Sequence, residues 1–230
     1  MLRELNLYPL WVRRGVPMAE AAVPATPVAA AQVMPVAAAE PPPPLAAPAA
    51  DWGTLKQQVR DCTACKLRAG CRQTVFGVGD EQADWLFVGE APGADEDAQG
   101  EPFVGQAGKL LDNMLAAIRL KRGDNVYIAN VVKCRPPDNR TPEPDEIATC
   151  LPYLRQQIAL IKPKLIVALG KTAATALLGR DAPLGSLRGT LHDWHGTPLI
   201  VTYHPAYLLR SPAEKAKAWQ DLCFALQRMK

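Results

Sequence analysis

Long apolar runs are absent from this sequence of 230 residues. A membrane-spanning helix needs about 20 consecutive apolar residues, and no run approaches that length, so we expect no membrane association. The N-terminal residues are apolar only in part, because Glu4, Asn6, Pro9 and the pair Arg13–Arg14 interrupt them. This pattern makes a poor secretory signal, and we therefore expect a cytoplasmic protein.

A large excess of charge of one sign is also absent. The chain has 26 Lys and Arg residues against 23 Asp and Glu residues, which gives a formal net charge of +3. This balance excludes a histone-like polycation but permits a local basic face on an enzyme. Apolar residues make up 48% of the chain, enough for a packed domain with an additional tail.

The composition divides the chain into three regions. Of the 34 residues from 17 to 50, 23 are Ala or Pro. Such a segment buries too little surface to offset its ordering entropy, which predicts a disordered linker. Residues 1–16 contain leucines and aromatics that are typical either of a frayed end or of a peptide that docks on a protein partner. We expect a folded, monomeric domain over residues 51–230.

Four short apolar runs in that domain predict buried strands, with helical patterns between them. The runs cover 85–88, 126–132, 165–169 and 199–202. Alternating strands and helices predict an α/β fold with three layers, α/β/α, around a four-stranded, mainly parallel sheet. Thr141 followed by Pro142 predicts the start of one helix. Ligands of such sheets bind beyond the carboxyl ends of the strands.

The first predicted strand is followed by a loop rich in Gly and Pro, running from Gly89 to Gly105. An ordinary strand-to-helix turn explains such residues. The alternative is a ligand loop whose backbone N–H groups bond a flat, neutral ligand while a carboxylate lies nearby. An acidic cluster within the loop argues against a bound anion: Asp95, Glu96 and Asp97.

Two polar residues lie at the ends of other predicted strands. Asn130 stands in an otherwise apolar strand, where an unpaired amide costs about 1–3 kcal/mol. It is either a satisfied core residue or a ligand reader, since an amide offers an acceptor beside a donor, matching a pyrimidine edge. His204 follows the fourth strand, where a lone histidine is usually structural. Convergence of both residues with the Gly–Pro loop at one sheet edge favours a binding site.

Four cysteines have the spacing of a metal site. Cys62 and Cys65 form a Cys-x-x-Cys pair, Cys134 follows the second strand, and Cys150 lies near the end of the next helix. In a reducing compartment this pattern indicates metal more than disulfides. Four thiolates suit zinc or a cubane iron–sulfur cluster, and the ligand count leaves the metal open. The remaining cysteines are interpreted as structural or incidental: Cys71 and Cys223.

These features together resemble the family 4 uracil-DNA glycosylases, the branch of that superfamily with an iron–sulfur cluster. The resemblance covers about residues 51–229. It rests on the loops Gly89–Gly93 and Pro102–Gly105, on Asn130 before Cys134–Pro137, and on His204–Ala206. The order and spacing of the cysteines match the family's ligands. The resemblance therefore implies a [4Fe–4S] cluster held by Cys62, Cys65, Cys134 and Cys150.

The resemblance implies a monofunctional enzyme of base excision repair. Such an enzyme flips uracil out of single- or double-stranded DNA and hydrolyses the N-glycosidic bond, leaving an abasic site. Phe103 would stack on the base, Asn130 would read its edge, and His204 with the backbone of Glu90 and Ala91 would bond O2. Leu208 and Leu209 would form a wedge that fills the gap in the duplex. The implied DNA contacts also include three arginines: Arg135, Arg140 and Arg210.

The resemblance leaves the water-positioning group open. Ala91 stands where the best-known branch has an Asp, so the catalytic candidates besides His204 are acids of the first loop, Glu90 and Glu96 foremost, with Asp95, Asp97 and backbone groups as alternatives. The segment 185–190 is similar to the form without the inserted basic segment of a covalent branch, which implies hydrolysis without a lasting adduct. Two rival functions stay open: a non-catalytic nucleic-acid module and a nucleotide-handling enzyme.

Overall fold

The computed structural model describes residues 51–229. In this part of the chain, six strands form one sheet and helices cover its two faces. The strands are β1 (Val78–Gly79), β2 (Trp85–Gly89), β3 (Val126–Asn130), β4 (Leu165–Leu169), β5 (Leu191–Trp194) and β6 (Thr197–Thr202). The helices are α1 (Trp52–Arg60), α2 (Leu67–Gly70), α3 (Ala94–Gln99), α4 (Gln106–Ala117), α5 (Pro144–Ile161), α6 (Lys171–Leu178), α7 (Leu184–Leu187), α8 (Pro205–Arg210) and α9 (Lys215–Arg228).

The sheet has the strand order β1-β3-β2-β4-β6-β5. The four inner strands run parallel, and the two edge strands are antiparallel to their neighbours. The predicted α/β class and the mainly parallel sheet are therefore confirmed. The four predicted strands are the inner ones, so the predicted number of strands was too low by two.

Alternation along the inner strands divides the core into two apolar layers. Leu86 and Val88 of β2 face a cluster that includes residues of α5 and α6. Trp85 and Phe87, one position out of phase, face a cluster that includes residues of α4 and α9. Successive side chains of a strand point to opposite faces, so fully apolar strands are what a sheet covered on both faces requires.

The two edge strands lack the apolar signal of the inner ones. β1 has only two residues, one of them a glycine, and β5 contributes mainly exposed or half-buried side chains. β5 joins β6 through a tight turn in which His195 and Gly196 both have positive φ, 46° and 87°. Two consecutive residues with positive φ are typical of a hairpin turn. A search for apolar runs does not detect such a turn.

The helix expected to start at Thr141 starts instead at Pro144, with Glu143 as its N-cap. Proline occupies the first helical position both in the prediction and in the structure. The prediction placed Pro142 there, and the structure has Pro144. The carboxylate of Glu146, on the first turn, accepts the N–H of Glu143 at 2.7 Å and thereby supplies the cap.

The predicted docking peptide (1–16) and linker (17–50) lie outside the described residues. Among residues 51–229, no helix combines the length and the apolar character that crossing a membrane demands.

Candidate active site

A cavity of about 460 Å³ opens at the carboxyl edge of the parallel strands. Its walls come from the loops after β2, β3 and β6, as expected for this class of sheet. It brings together eight of the predicted residues: Glu90, Ala91, Glu96, Phe103, Asn130, Arg140, His204 and Arg210. Three predicted DNA-binding residues are not among those that line it: Arg135, Leu208 and Leu209.

Asn130 ends β3 directly beside Gly89, its register partner at the end of β2. The side chain is 2% exposed, and its Oδ1 has no hydrogen-bond partner among residues 51–229. A Cβ atom on Gly89 would overlap both Asn130 Oδ1 and the Phe103 ring. Glycine at position 89 therefore keeps the amide and the ring next to each other. A buried, unsatisfied carbonyl oxygen in a cavity wall is a group prepared for a ligand donor.

Phe103 places its ring between Gly89 and His204. The ring centroids of Phe103 and His204 are 5.5 Å apart, and the planes are tilted by 30°. Phe103 has a positive φ of 56°, a left-handed conformation that costs a non-glycine residue about 1–3 kcal/mol. The carbonyl oxygens of Pro102 and Phe103 accept hydrogen bonds from the guanidinium of Arg122, at 2.8 and 2.7 Å.

His204 is the N-cap of α8, and Pro205 follows as the first helical residue. Its Nδ1 accepts the N–H of Ala206 at 3.1 Å, which assigns the ring hydrogen to Nε2. Desolvation lowers the pKa of His204 to about 4, with Arg210 acting in the same direction and Glu96 against it. The imidazole is therefore neutral at physiological pH and has one N–H to donate.

The acids of the first loop differ in how far they are already engaged. Glu96 accepts three backbone N–H groups, from Gly93, Val104 and Gly105, at 3.0, 2.9 and 3.1 Å. Its carboxylate thus ties α3 to the segment that carries Phe103.

Asp97 is also engaged, since it is 8% exposed and accepts the backbone N–H of Arg72 at 2.9 Å. Glu90, by contrast, lines the cavity with a single protein donor on its carboxylate, the hydroxyl of Thr172. Of the three acids, Glu90 keeps the most acceptor capacity for a ligand or water.

The arginines near the cavity are held by local partners. Arg140 makes a fork-like pair with Glu146, at 2.8 and 2.7 Å. This pairing lowers the pKa of Glu146 to about 2. Arg135 donates to Asn139 at 2.7 Å. Both arginines belong to the loop and helix start that form one rim of the cavity.

One prediction about the loop after β6 is wrong. Leu208 and Leu209 were expected to project outward together, but Leu208 is 1% exposed and packs into the protein. Leu209 is 43% exposed. The short helix α8 rotates consecutive side chains by about 100°, so two adjacent leucines cannot share one outward face.

The four predicted cysteine ligands line a second, small cavity below the loop after β3. Its other walls are largely apolar and include Val59, Leu67 and Tyr153. Within residues 51–229, no three Cys, His, Asp or Glu side chains converge in the arrangement of a single-ion site. Cys150 Sγ accepts the backbone N–H of Lys133 at 3.2 Å. The cysteines therefore surround a common space without meeting at one point.

A family model for the uracil DNA glycosylase superfamily matches residues 76–223, which include the cavity. The chain belongs to the uracil-DNA glycosylase superfamily. It is 44% identical over 180 residues to the type-4 uracil-DNA glycosylase of Pyrobaculum aerophilum, covering 75% of this chain and 91% of that protein. To the type-4 uracil-DNA glycosylase of Thermotoga maritima it is 45% identical over 165 residues, covering 71% and 85%. Identity to the type-5 uracil-DNA glycosylase of Thermus thermophilus is 33% over 149 residues, covering 56% and 68%.

These values group this uracil-DNA glycosylase with the type-4 enzymes, as the sequence motifs predicted. The motifs included Gly89 without revealing its supporting role, and they missed three other residues that support the site: Arg122, Lys133 and Thr172. Lys133 is 1% exposed, and its ammonium donates to the Asn130 carbonyl at 2.9 Å and to Gln157 at 2.6 Å. A charged residue directly after an apolar strand was the available signal for Lys133. Arg122 gives no such signal, because its loop is ordinary in composition.

Proposed function

We propose that this protein is a monofunctional uracil-DNA glycosylase that flips uracil out of DNA and hydrolyses its N-glycosidic bond, leaving an abasic site. One observation carries the proposal: Phe103, Asn130 and His204, from three distant parts of the chain, line one cavity at the carboxyl edge of the sheet. Membership in the superfamily and the identity to type-4 enzymes support it.

The first step is extrusion of the nucleotide, because a base inside the duplex is out of reach. Flipping costs a few kcal/mol, and less for a mismatched or single-stranded base. Stacking of the base on Phe103 returns about 1–3 kcal/mol. The ring is 5% exposed and already held against His204, so little side-chain freedom is lost when the base arrives.

Recognition of uracil falls to Asn130. Its unpartnered Oδ1 accepts the N3–H of uracil, and its amide N–H₂ donates to O4. Cytosine reverses the donor and acceptor order at these positions, so it leaves the buried amide mismatched. Unpaired polar groups of this kind give strong discrimination between similar ligands.

Charge stabilisation at O2 supplies the main catalytic effect. As the glycosidic bond breaks, the sugar becomes oxocarbenium-like and uracil becomes anionic. The Nε2–H of neutral His204 and the backbone N–H groups at Glu90 and Ala91 donate to O2. Each such preorganised donor is worth about 3–4 kcal/mol in a dry site.

Water then attacks C1′, and we assign its positioning to Glu90. Glu96 has its carboxylate engaged by three backbone donors, so its part is to shape the loop. Glu90 has one protein donor and lines the cavity. Among the described residues that line the cavity there is no lysine, which supports hydrolysis without a Schiff base and without strand nicking.

The DNA surface is assigned to the cavity rim. Leu209, exposed on α8, is the wedge that enters the space left by the flipped base. Arg210 from the same helix, with Arg135 and Arg140 from the opposite rim, contact phosphates. Arg140 retains an exposed fraction of 34% beside its partner Glu146, so one face of the guanidinium stays open to an anion.

The four cysteines hold a [4Fe–4S] cluster in this proposal. Each iron of a cubane takes one thiolate, so the ligands surround a space rather than converge on a point, as the cysteines do here. The apolar walls and the N–H···S bond from Lys133 to Cys150 suit an anionic thiolate cluster. When bound, the cluster serves as a structural cross-link between the segment 62–65 and the segment 134–150.

Three further statements stay predictions. The protein acts as a monomer, it resides in the cytoplasm, and residues 1–16 bind a protein partner through the linker 17–50. Gel filtration tests the monomer, and fractionation of the cells that make the protein tests the location. Binding of a synthetic peptide of residues 1–16 to cell extract tests the protein partner.

The activity is tested with an oligonucleotide that contains one uracil. We expect an abasic site, seen as cleavage at the uracil only after treatment with hot alkali. The same strand with thymine serves as the control. Cleavage before alkali would contradict the monofunctional mechanism, and absence of cleavage after alkali would favour a non-catalytic nucleic-acid module.

Substitution Asn130→Asp should raise activity on cytosine relative to uracil, because the carboxylate lacks the donor that uracil O4 needs. Rates on matched uracil and cytosine oligonucleotides give the ratio. Asn113→Asp, on the exposed side of α4, is the control. An unchanged ratio in the Asn130 variant would refute the reader role.

Excision should show no titration near pH 6.5, the ordinary pKa of histidine, because the pKa of His204 is lowered to about 4. The neutral form, which donates from Nε2, therefore persists as the pH falls below 6.5, and activity is lost only as the pH passes through about 4. Single-turnover rates across this range measure the profile. His204→Ala should slow excision by roughly 10²–10³-fold, whereas His195→Asn in the β5–β6 turn should not.

Substitution Cys134→Ala should remove the brown colour of the protein and lower its thermal stability together. Visible absorbance, iron and sulfide content, and thermal unfolding are measured on the same preparation. Cys223→Ala, at a cysteine outside the cavity, is the control. If the wild-type protein is colourless and contains zinc, the proposed cluster is wrong and the four cysteines bind zinc instead.

A further inference from the structure

The strained backbone of Phe103 needs an external support. A φ of 56° is unfavourable for phenylalanine, and the ring gives the backbone no compensating hydrogen bond. The conformation persists only where surrounding groups hold it. The groups that hold it decide whether the ring stays at the base of the cavity beside Gly89.

Arg122 donates hydrogen bonds to the two peptide links that flank Phe103. One terminal nitrogen donates to Pro102 O at 2.8 Å and the other to Phe103 O at 2.7 Å. Its Nε donates to the carboxylate of Asp112 on α4 at 3.0 Å. The planar guanidinium fork thus fixes two consecutive carbonyls relative to one helix, a geometry that a lysine ammonium cannot reproduce.

The same helix leaves room for this arrangement. Gly108, on the first turn of α4, lies against the carbonyl of Phe103, and a Cβ there would overlap that oxygen. Arg122 is only 21% exposed, yet it is absent from the cavity wall. It therefore acts on the base only through Phe103.

We propose that Arg122 is a positioning residue for base stacking: it holds Phe103 in the left-handed conformation that presents the ring to the extruded base. Asp112 orients the guanidinium for this task. The inference rests on the proposed function, because it deepens the role assigned to Phe103. It adds a contribution to base binding from a loop that never touches the DNA base.

The test is a double-mutant cycle on the full chain. Arg122→Met and Phe103→Ala are made singly and together, and single-turnover excision and inhibition by free uracil are measured. Each single variant should lose roughly 5–150-fold in excision rate and in affinity for uracil, the range of one base–aromatic stack. In the double variant neither quantity should fall further than in Phe103→Ala alone. Affinity for abasic product DNA should change little, since the phosphate contacts remain.

Controls separate positioning from general stability. Arg119→Met changes a neighbouring exposed arginine, also with positive φ, and should leave the rates unchanged. Arg122→Lys and Asp112→Asn are milder, and both should fall between wild type and Arg122→Met while retaining the wild-type melting temperature. These two variants carry the test if Arg122→Met does not fold.

Two outcomes would overturn the inference. If the losses of Arg122→Met and Phe103→Ala multiply in the double variant, Arg122 acts independently of the ring and its role is structural. If Phe103→Ala loses activity while every Arg122 and Asp112 variant keeps it, the support is unnecessary. Failure of the proposed function looks different, because wild type would then release no uracil or Phe103→Ala would have no effect.

Discussion

The site depends on the pairing of Gly89 with Asn130 at the ends of two adjacent parallel strands. Parallel alignment puts both residues at the same edge, and the missing side chain of Gly89 leaves the space in which Asn130 Oδ1 and the Phe103 ring meet. Any other residue at position 89 would displace the Asn130 amide, the Phe103 ring or both. Close approach of this kind is a physical reason for glycine inside a strand.

Around that pair, polar groups fall into those that the protein satisfies and those that it leaves for a ligand. Glu96 and Glu146 have their carboxylates engaged by backbone N–H groups and arginine. In the part of the chain that the structure describes, Asn130 Oδ1 and the Nε2–H of His204 have no hydrogen-bond partner. An open polar group in a desolvated wall is costly, so its persistence is understandable where a ligand supplies the missing bonds. The division therefore separates the residues that build the site from those that act in it.

The inner half of the fold follows from the sequence because its signals are local and strong. Apolar runs such as 85–88 and 165–169 have no other stable place than a sheet covered on both faces. The hairpin edge β5 escaped detection, since exposed and half-buried side chains carry no apolar run. Leu208 was misassigned because the direction of a side chain on a helix of six residues depends on where that helix starts. The start at Pro144 rather than Pro142 shows the same sensitivity of helix ends to a cap, here Glu146.

The residues of the site also differ in how well the sequence predicts them. Asn130 and His204 could be predicted because a polar residue at the end of an apolar strand is conspicuous. The role of Arg122 could not be predicted, because its partners are backbone carbonyls 19 and 20 residues earlier in the chain. Every residue has a backbone carbonyl, so the sequence does not mark the ones that accept a hydrogen bond. Supports of active-site backbone are thus systematically harder to read than the side chains they support.

The short segment between Asn130 and Cys134 links the cysteine cavity to the cavity at the carboxyl edge of the sheet. Lys133 donates its backbone N–H to Cys150 and its buried ammonium to the Asn130 carbonyl. Gln157 Oε1 accepts from the same ammonium, and both Cys150 and Gln157 lie on α5, so Lys133 joins α5 to the end of β3. A buried ammonium without these acceptors would be strongly destabilising. The geometry of the cysteine segment and the position of Asn130 are therefore set together.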